Sequence, residues 1–199
     1  YAEPQLSLTS QLEPFALISP TDRARLGEGV VDAYPLAMLQ AGMIFHSEYN
    51  PDSAVFHDMH GFHLQAPFDL HTLKLAVRQV VARHGVLRAS FELTRYSQPL
   101  QLIHGNINIP LRVEDLRHLS AEEQERRIAQ WTAEDKRDRF VWDRAPLVRF
   151  HVHRRSEDSF QFTMSFHHAV LDGWSAASLL SEMFRRYVAL LENPEQPAE

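Results

Sequence analysis

Apolar residues recur along this chain with two different periods, and each change of period marks a new element. Leu70, Leu73, Val77, Val80 and Val81 follow helical spacing behind Asp69, a good N-cap, so a helix is predicted from Asp69 to near Gly85. Ser120 with Glu123 three residues later is a capping-box pattern and opens a long charged helix that runs to about Arg139. A last helix is predicted over 174–191. Two shorter ones come early. Ser19, Pro20 and Asp22 supply the cap, first-position proline and first-turn acid of a helix that Gly27 and Gly29 end. Pro35 is predicted to start another, with Leu36, Leu39, Met43 and Ile44 on one face and Asn50-Pro51-Asp52 closing it. Period-two stretches predict strands over 56–65 (Phe62 and Leu64 on one face) and 87–93, and a pair over 147–153 and 160–166 joined at Ser156-Glu157-Asp158. Segments 100–104 and 107–113 are predicted to pair as a hairpin across Gly105-Asn106. Helices interleaved with hairpins predict an α+β (mixed α/β) fold, with a largely antiparallel sheet flanked by helices. Residues 1–18 read as an extended lead-in, and the polar tail after Glu192, with two prolines, as a linker.

Composition removes several kinds of chemistry. With no cysteine there is no disulfide, no thiolate metal site and no thiol nucleophile. The net charge is −6 with signs interspersed, and no basic stripe suggests nucleic acid. No apolar run approaches a membrane span and no secretory leader is visible, so a soluble cytoplasmic protein is expected. No strand is followed by a glycine-rich loop, so a nucleotide fold is unsupported.

One segment concentrates the chemistry: Phe166-His167-His168-Ala169-Val170-Leu171-Asp172-Gly173-Trp174, where an apolar strand meets a helix. Adjacent histidines on a strand face opposite ways, so only one of them readily faces a cleft there. That geometry also chelates a single ion poorly, and no metal is expected at this segment. Asp172-Gly173 allows a tight turn in which Asp172 can hold the loop. Among the other histidines, His57, His60 and His63 fall on both faces of their predicted strand, and His104, His118, His151 and His153 have no motif context.

This segment resembles the His-His-x-x-x-Asp-Gly motif of condensation domains of nonribosomal peptide synthetases, within the chloramphenicol acetyltransferase-like superfamily. Tyr34-Pro35-Leu36-Ala37-Met38-Leu39-Gln40-Ala41-Gly42-Met43-Ile44-Phe45-His46 is similar to the family's first core motif, and Arg83-His84-Gly85-Val86-Leu87-Arg88-Ala89-Ser90-Phe91 to its second. Departures are Ala37 for a small hydroxyl residue, Gly85 for glutamate and Ala89-Ser90 for Thr-x. Such domains are pairs of related lobes, about twice this length. The resemblance therefore implies an N-terminal lobe over 19–193, with 194–199 starting the inter-lobe linker, and a chain that is inactive without the C-terminal lobe.

The implied reaction is aminolysis of a thioester. An acyl or peptidyl group on one carrier protein's phosphopantetheine is transferred to the α-amine of an aminoacyl group on a second carrier, with no cofactor bound by the domain itself. By the same resemblance His168 is the catalytic residue, as base or as positioning group. Asp172 would form a buried ion pair with Arg83 that fixes the loop. His167 would pack or hydrogen-bond on the far face of the strand, and Gly173 would keep the passage for the incoming arm open. Two readings stand beside this one: a trimeric, CoA-dependent acyltransferase of the chloramphenicol acetyltransferase type, and a non-catalytic carrier-docking module.

Overall fold

The computed structural model describes residues 13–193. The elements run α1 (Pro20–Arg23), β1 (Val30–Pro35), α2 (Met38–Tyr49), β2 (His57–Gln65), α3 (Leu70–Arg83), a 3-10 turn (Gly85–Arg88), β3 (Ala89–Glu92), β4 (Leu100–His104), β5 (Leu111–Asp115), α4 (Ala121–Arg137), β6 (Val148–Arg154), β7 (Ser159–His167) and α5 (Gly173–Glu192). The helix starts follow the side chains expected to cap them. Ser19 Oγ accepts from Asp22 N at 3.1 Å and Asp69 from Thr72 N at 2.7 Å. At α4 the capping box is reciprocal: Glu123 N donates to Ser120 Oγ, and Glu123 Oε2 accepts from Ser120 N at 2.8 Å.

The strands form two sheets, ordered β1-β4-β3 and β2-β7-β6-β5, antiparallel throughout except for the parallel β5–β6 pair. Strand β7 shows how the larger sheet is used. Its even positions, Phe160, Phe162, Met164 and Phe166, are fully buried, and Phe160 and Phe162 pack on Tyr187 and Phe184 of α5. Its odd positions Thr163, Ser165 and His167 are also buried, on the face covered by α4, where Ser165 Oγ donates to Asp135 and accepts the His57 ring at 2.7 Å. The sheet therefore has one apolar face under α3 and α5 and one polar, equally buried face under α4. Tyr187 closes the apolar side: its hydroxyl accepts from Asp69 N at 2.9 Å and donates to Pro67 O at 2.7 Å, tying the start of α3 to α5.

Four local expectations are corrected. Val30–Pro35 is a strand at the edge of its sheet, where proline costs no ladder bond, and the helix begins at Met38, not Pro35. On α2 only Ile44 is fully buried; Leu36 and Met43 lean on the core, while Leu39 is exposed. Residues 87–93 split into a 3-10 turn followed by β3. The 100–104/107–113 hairpin does not form: β4 lies between β1 and β3, and β5 crosses to the other sheet beside β6. The expected lead-in over 1–12 and the expected linker over 194–199 lie outside the described residues.

Candidate active site

Strand parity carries past the end of β7 and separates the two histidines. His167 turns to the α4 side and is buried, its ring edge-on to Trp142 with centroids 4.7 Å apart. Its Nδ1 accepts from Ala169 N at 3.1 Å, so the neutral ring carries its proton on Nε2. That nitrogen lies 3.0 Å from Ser47 Oγ, whose own hydroxyl donates to Met43 O at 3.0 Å. Burial, reinforced by His57 and His168, pushes the His167 pKa down to about 4. The ring is thus a neutral strut between β7 and α2.

His168 turns the other way and keeps about a third of its side chain exposed. Its backbone N–H donates to Phe56 O at 2.8 Å, which pins the residue to the start of β2. Its Nδ1 lies 2.7 Å from Oδ2 of Asp58. An ionised carboxylate only accepts, so Nδ1 carries the proton and the Nε2 lone pair is directed away from Asp58. The β2–β7 register makes this pairing: Asp58 sits opposite Phe166 and His57 opposite His167, so Asp58 and His168 share one face. Asp58 escapes a reading of the sequence because it is 110 residues from His168; its only local signal is an acid at an even position in an otherwise apolar or histidine-bearing strand.

Gln40 of α2 secures the loop beyond. Its Nε2 donates to Ala169 O at 2.9 Å and to Gln101 Oε1 at 2.8 Å, while its Oε1 accepts from Ala37 N at 3.0 Å. One side chain joins α2, β4 and the loop that carries His168. Arg88 does similar work behind α3, donating to Val81 O at 3.1 Å and to His104 O.

Asp172 and Arg83 are placed differently from the implied ion pair. Asp172 is exposed and caps α5, accepting from Ser175 N at 2.7 Å; that bond holds its carboxyl below the usual range. Arg83 approaches Glu182 at 3.8 Å, beside the 2.7 Å His84–Glu182 contact. Ten helical residues, about 15 Å, separate Asp172 from Glu182, so the end of α3 meets the middle of α5 and not its start. The loop is held by the cap and by Gln40. Gly173 opens α5, and a Cβ there would meet nothing within 4 Å, which leaves the space beside the loop clear. His57, His60 and His63 do not converge: His57 is buried against Phe140, His60 lies edge-on to Phe166, and His63 is exposed. A cleft of about 630 Å³ between the 50–56 loop and the end of α4 is lined by His167, Trp142 and Arg139 but not by His168.

The family model "Condensation domain" matches residues 30–199. The chain is 37% identical over 187 residues to AMB antimetabolite synthetase AmbE of Pseudomonas aeruginosa, covering 93% of this chain and 9% of that protein. It is 30% identical over 161 residues to bacitracin synthase 3 of Bacillus licheniformis, covering 81% of this chain and 2% of that one. Among solved structures it is similar to the starter condensation domain of rhizomide synthetase RzmA (TM-score 0.73, 20% identity, 84% of this chain and 41% of that one). It is likewise similar to the first condensation domain of the calcium-dependent antibiotic synthetase (TM-score 0.75, 20% identity, 85% and 42%). The chain thus spans under a tenth of these curated relatives and about two fifths of the solved domains.

Proposed function

Because the chain belongs to the condensation domain family of nonribosomal peptide synthetases, we propose that it is the N-terminal lobe of such a domain, over 19–193, and that His168 is its catalytic residue. The reaction is amide formation between a donor acyl or peptidyl thioester and the α-amine of an acceptor aminoacyl thioester. Both are carried on the phosphopantetheine arms of carrier proteins, the domain's partners. The amine nitrogen attacks the thioester carbon, the C–N bond forms, the C–S bond breaks, and the proton lost by nitrogen ends on the departing sulfur.

The observation that carries this reading is the 2.7 Å Asp58–His168 contact. With Nδ1 committed to Asp58, Nε2 accepts a hydrogen bond from the incoming amine and can relay its proton. An α-amine with an ordinary pKa of about 7.7–8.0 is partly neutral near pH 7, so orienting it supplies much of the acceleration and proton acceptance the remainder. Asp58 is a positioning residue, acting through the ring. Asp172, Gln40 and His167 hold the loop, and Gly173 leaves room for an arm.

The second lobe belongs to the same proposal. Met38, Phe45 and Tyr49 form an exposed apolar stripe on α2, and Trp174 is 85% exposed beside the Asp172 cap. Surface of that kind is suited to burial by another lobe, and without it the site lacks half its walls and the chain is inactive. No helix among the described residues is long and apolar enough to cross a membrane; a cytoplasmic location is part of the proposal. The test is amide formation by the whole domain with both loaded carriers, His168→Ala against wild type. Product falling to the uncatalysed aminolysis rate supports the assignment; an unchanged rate makes His168 a structural residue.

A further inference from the structure

The polar face under α4 holds a second cluster, which plays no part in the proposed reaction. On parallel strands β5 and β6, Glu114 lies directly opposite His153, and His151 is two residues along β6 on the same face. His153 is fully buried and His151 is 8% exposed. None of their four ring nitrogens has a hydrogen-bond partner among the described residues. The rings lie 4.2 Å apart and pack against Trp131 of α4. Two buried imidazoles with unpaired nitrogens are unfavourable unless something binds them.

We infer that Glu114, His151 and His153 form a site for a divalent transition-metal ion of the zinc type. One ligand atom from each already lies within 4.8 Å of the others, and His153 Nε2 is 3.8 Å from Glu114 Oε2. Zinc bonds of about 2.0–2.1 Å put tetrahedral ligand atoms about 3.4 Å apart, so small side-chain rotations close the site. Glu114 is pre-arranged for one-oxygen ligation: Oε2 faces His153 while Oε1 accepts from Arg127 Nε at 2.7 Å. Burial holds the His151 and His153 pKa values down at about 3 and 4, so both rings are in the neutral form that binds metal. A cavity of about 130 Å³ lined by Arg112, Trp131, Asp135 and His151 reaches one of the three ligands. The cations around these rings are Arg112, opposite His151, Arg127, which also lies 3.7 Å from Glu134, Arg155 on the His153 side, and Arg149, which lines the cavity beside His151. Two nitrogens and one oxygen suit a first-row transition metal, not calcium or magnesium. His151 pairs with Thr163, four residues before His167 and about 13 Å along the strand, on the face away from the His168 ring. The ion would therefore be structural, cross-linking β5 and β6 beneath α4.

The chain, stripped with a chelator and dialysed, is titrated with Zn2+ by calorimetry and with Co2+ by visible absorption. One equivalent of Zn2+ is expected, with intense Co2+ d–d bands of a four- or five-coordinate site, a raised thermal midpoint, and no response to Ca2+. His151→Phe with His153→Phe should weaken Zn2+ binding by on the order of 100-fold or more, since loss of outer partners alone costs about 10–100-fold. His63→Ala, an exposed histidine, should change nothing. Should the double variant not fold, Glu114→Gln keeps the shape of the site and should weaken binding about tenfold or more. No binding by the wild type, or binding that survives these substitutions as it would at surface histidines, overturns the inference.

Discussion

Acid should destabilise this chain well before its carboxylates titrate. His151, His153 and His167 are each less than a tenth exposed, and burial pushes their folded pKa values down to about 3, 4 and 4. In the unfolded chain each returns to about 6.5. Between those values the unfolded state binds more protons, so stability is full above pH 6.5 and declines as pH falls towards the folded pKa values. Each such group removes at most about 1.4 kcal/mol per pH unit once the pH is below its unfolded value. Three together remove up to about 4 kcal/mol per unit, a large share of a typical total of about 5–15 kcal/mol. The assay is urea unfolding followed by tryptophan fluorescence at pH 7.5, 6.5 and 5.5, with chelator present. The midpoint should hold between pH 7.5 and 6.5 apart from a small early decline, then drop steeply by pH 5.5. His151→Phe with His153→Phe should remove most of that drop. A midpoint that stays level down to pH 5.5 would refute the claim that these rings are buried neutral.

Two further predictions concern packing. Phe162 is fully buried between Phe150, Phe62 and Phe184, so Phe162→Ala should destabilise the chain by about 3–5 kcal/mol in urea unfolding, and a loss below about 1 kcal/mol would contradict the placement of the core. The α2 stripe, with Phe45 and Tyr49 stacked and 63% and 72% exposed, should make the isolated chain self-associate at high concentration; sedimentation should show Phe45→Ser with Tyr49→Ser shifted to monomer, and a wild type that stays monomeric would argue against an uncovered lobe interface.

What the sequence makes legible is whatever is written locally. The caps at Ser19, Asp69 and Ser120 mark helix starts because a side-chain oxygen and a nearby N–H decide them within four residues. The alternation in β7 separates His167 from His168 for the same reason. Misreadings come where pairing is non-local. Gly105-Asn106 has the chemistry of a tight turn, yet Gly105 N donates to Gly29 O at 2.7 Å and the chain passes between sheets. Pro35 suits a helix start and an edge strand equally, and only the pairing of β1 with β4 decides. Asp58 gains its meaning from a register set 110 residues away. The His151 and His153 pair gains its own from β5 lying parallel to β6. Asp172 shows the opposite limit: the family role falls on a side chain that its own helix start already occupies.

The most direct test of the account is a double-mutant cycle on amide formation by the whole domain, using wild type, Asp58→Asn, His168→Ala and the double variant. If Asp58 acts only by orienting the His168 ring, Asp58→Asn should slow the wild type about tenfold or more, within the range set by acid–base and positioning groups, and should slow the His168→Ala enzyme no further. The same slowing in both backgrounds would contradict the account, because Asp58 would then act independently of His168.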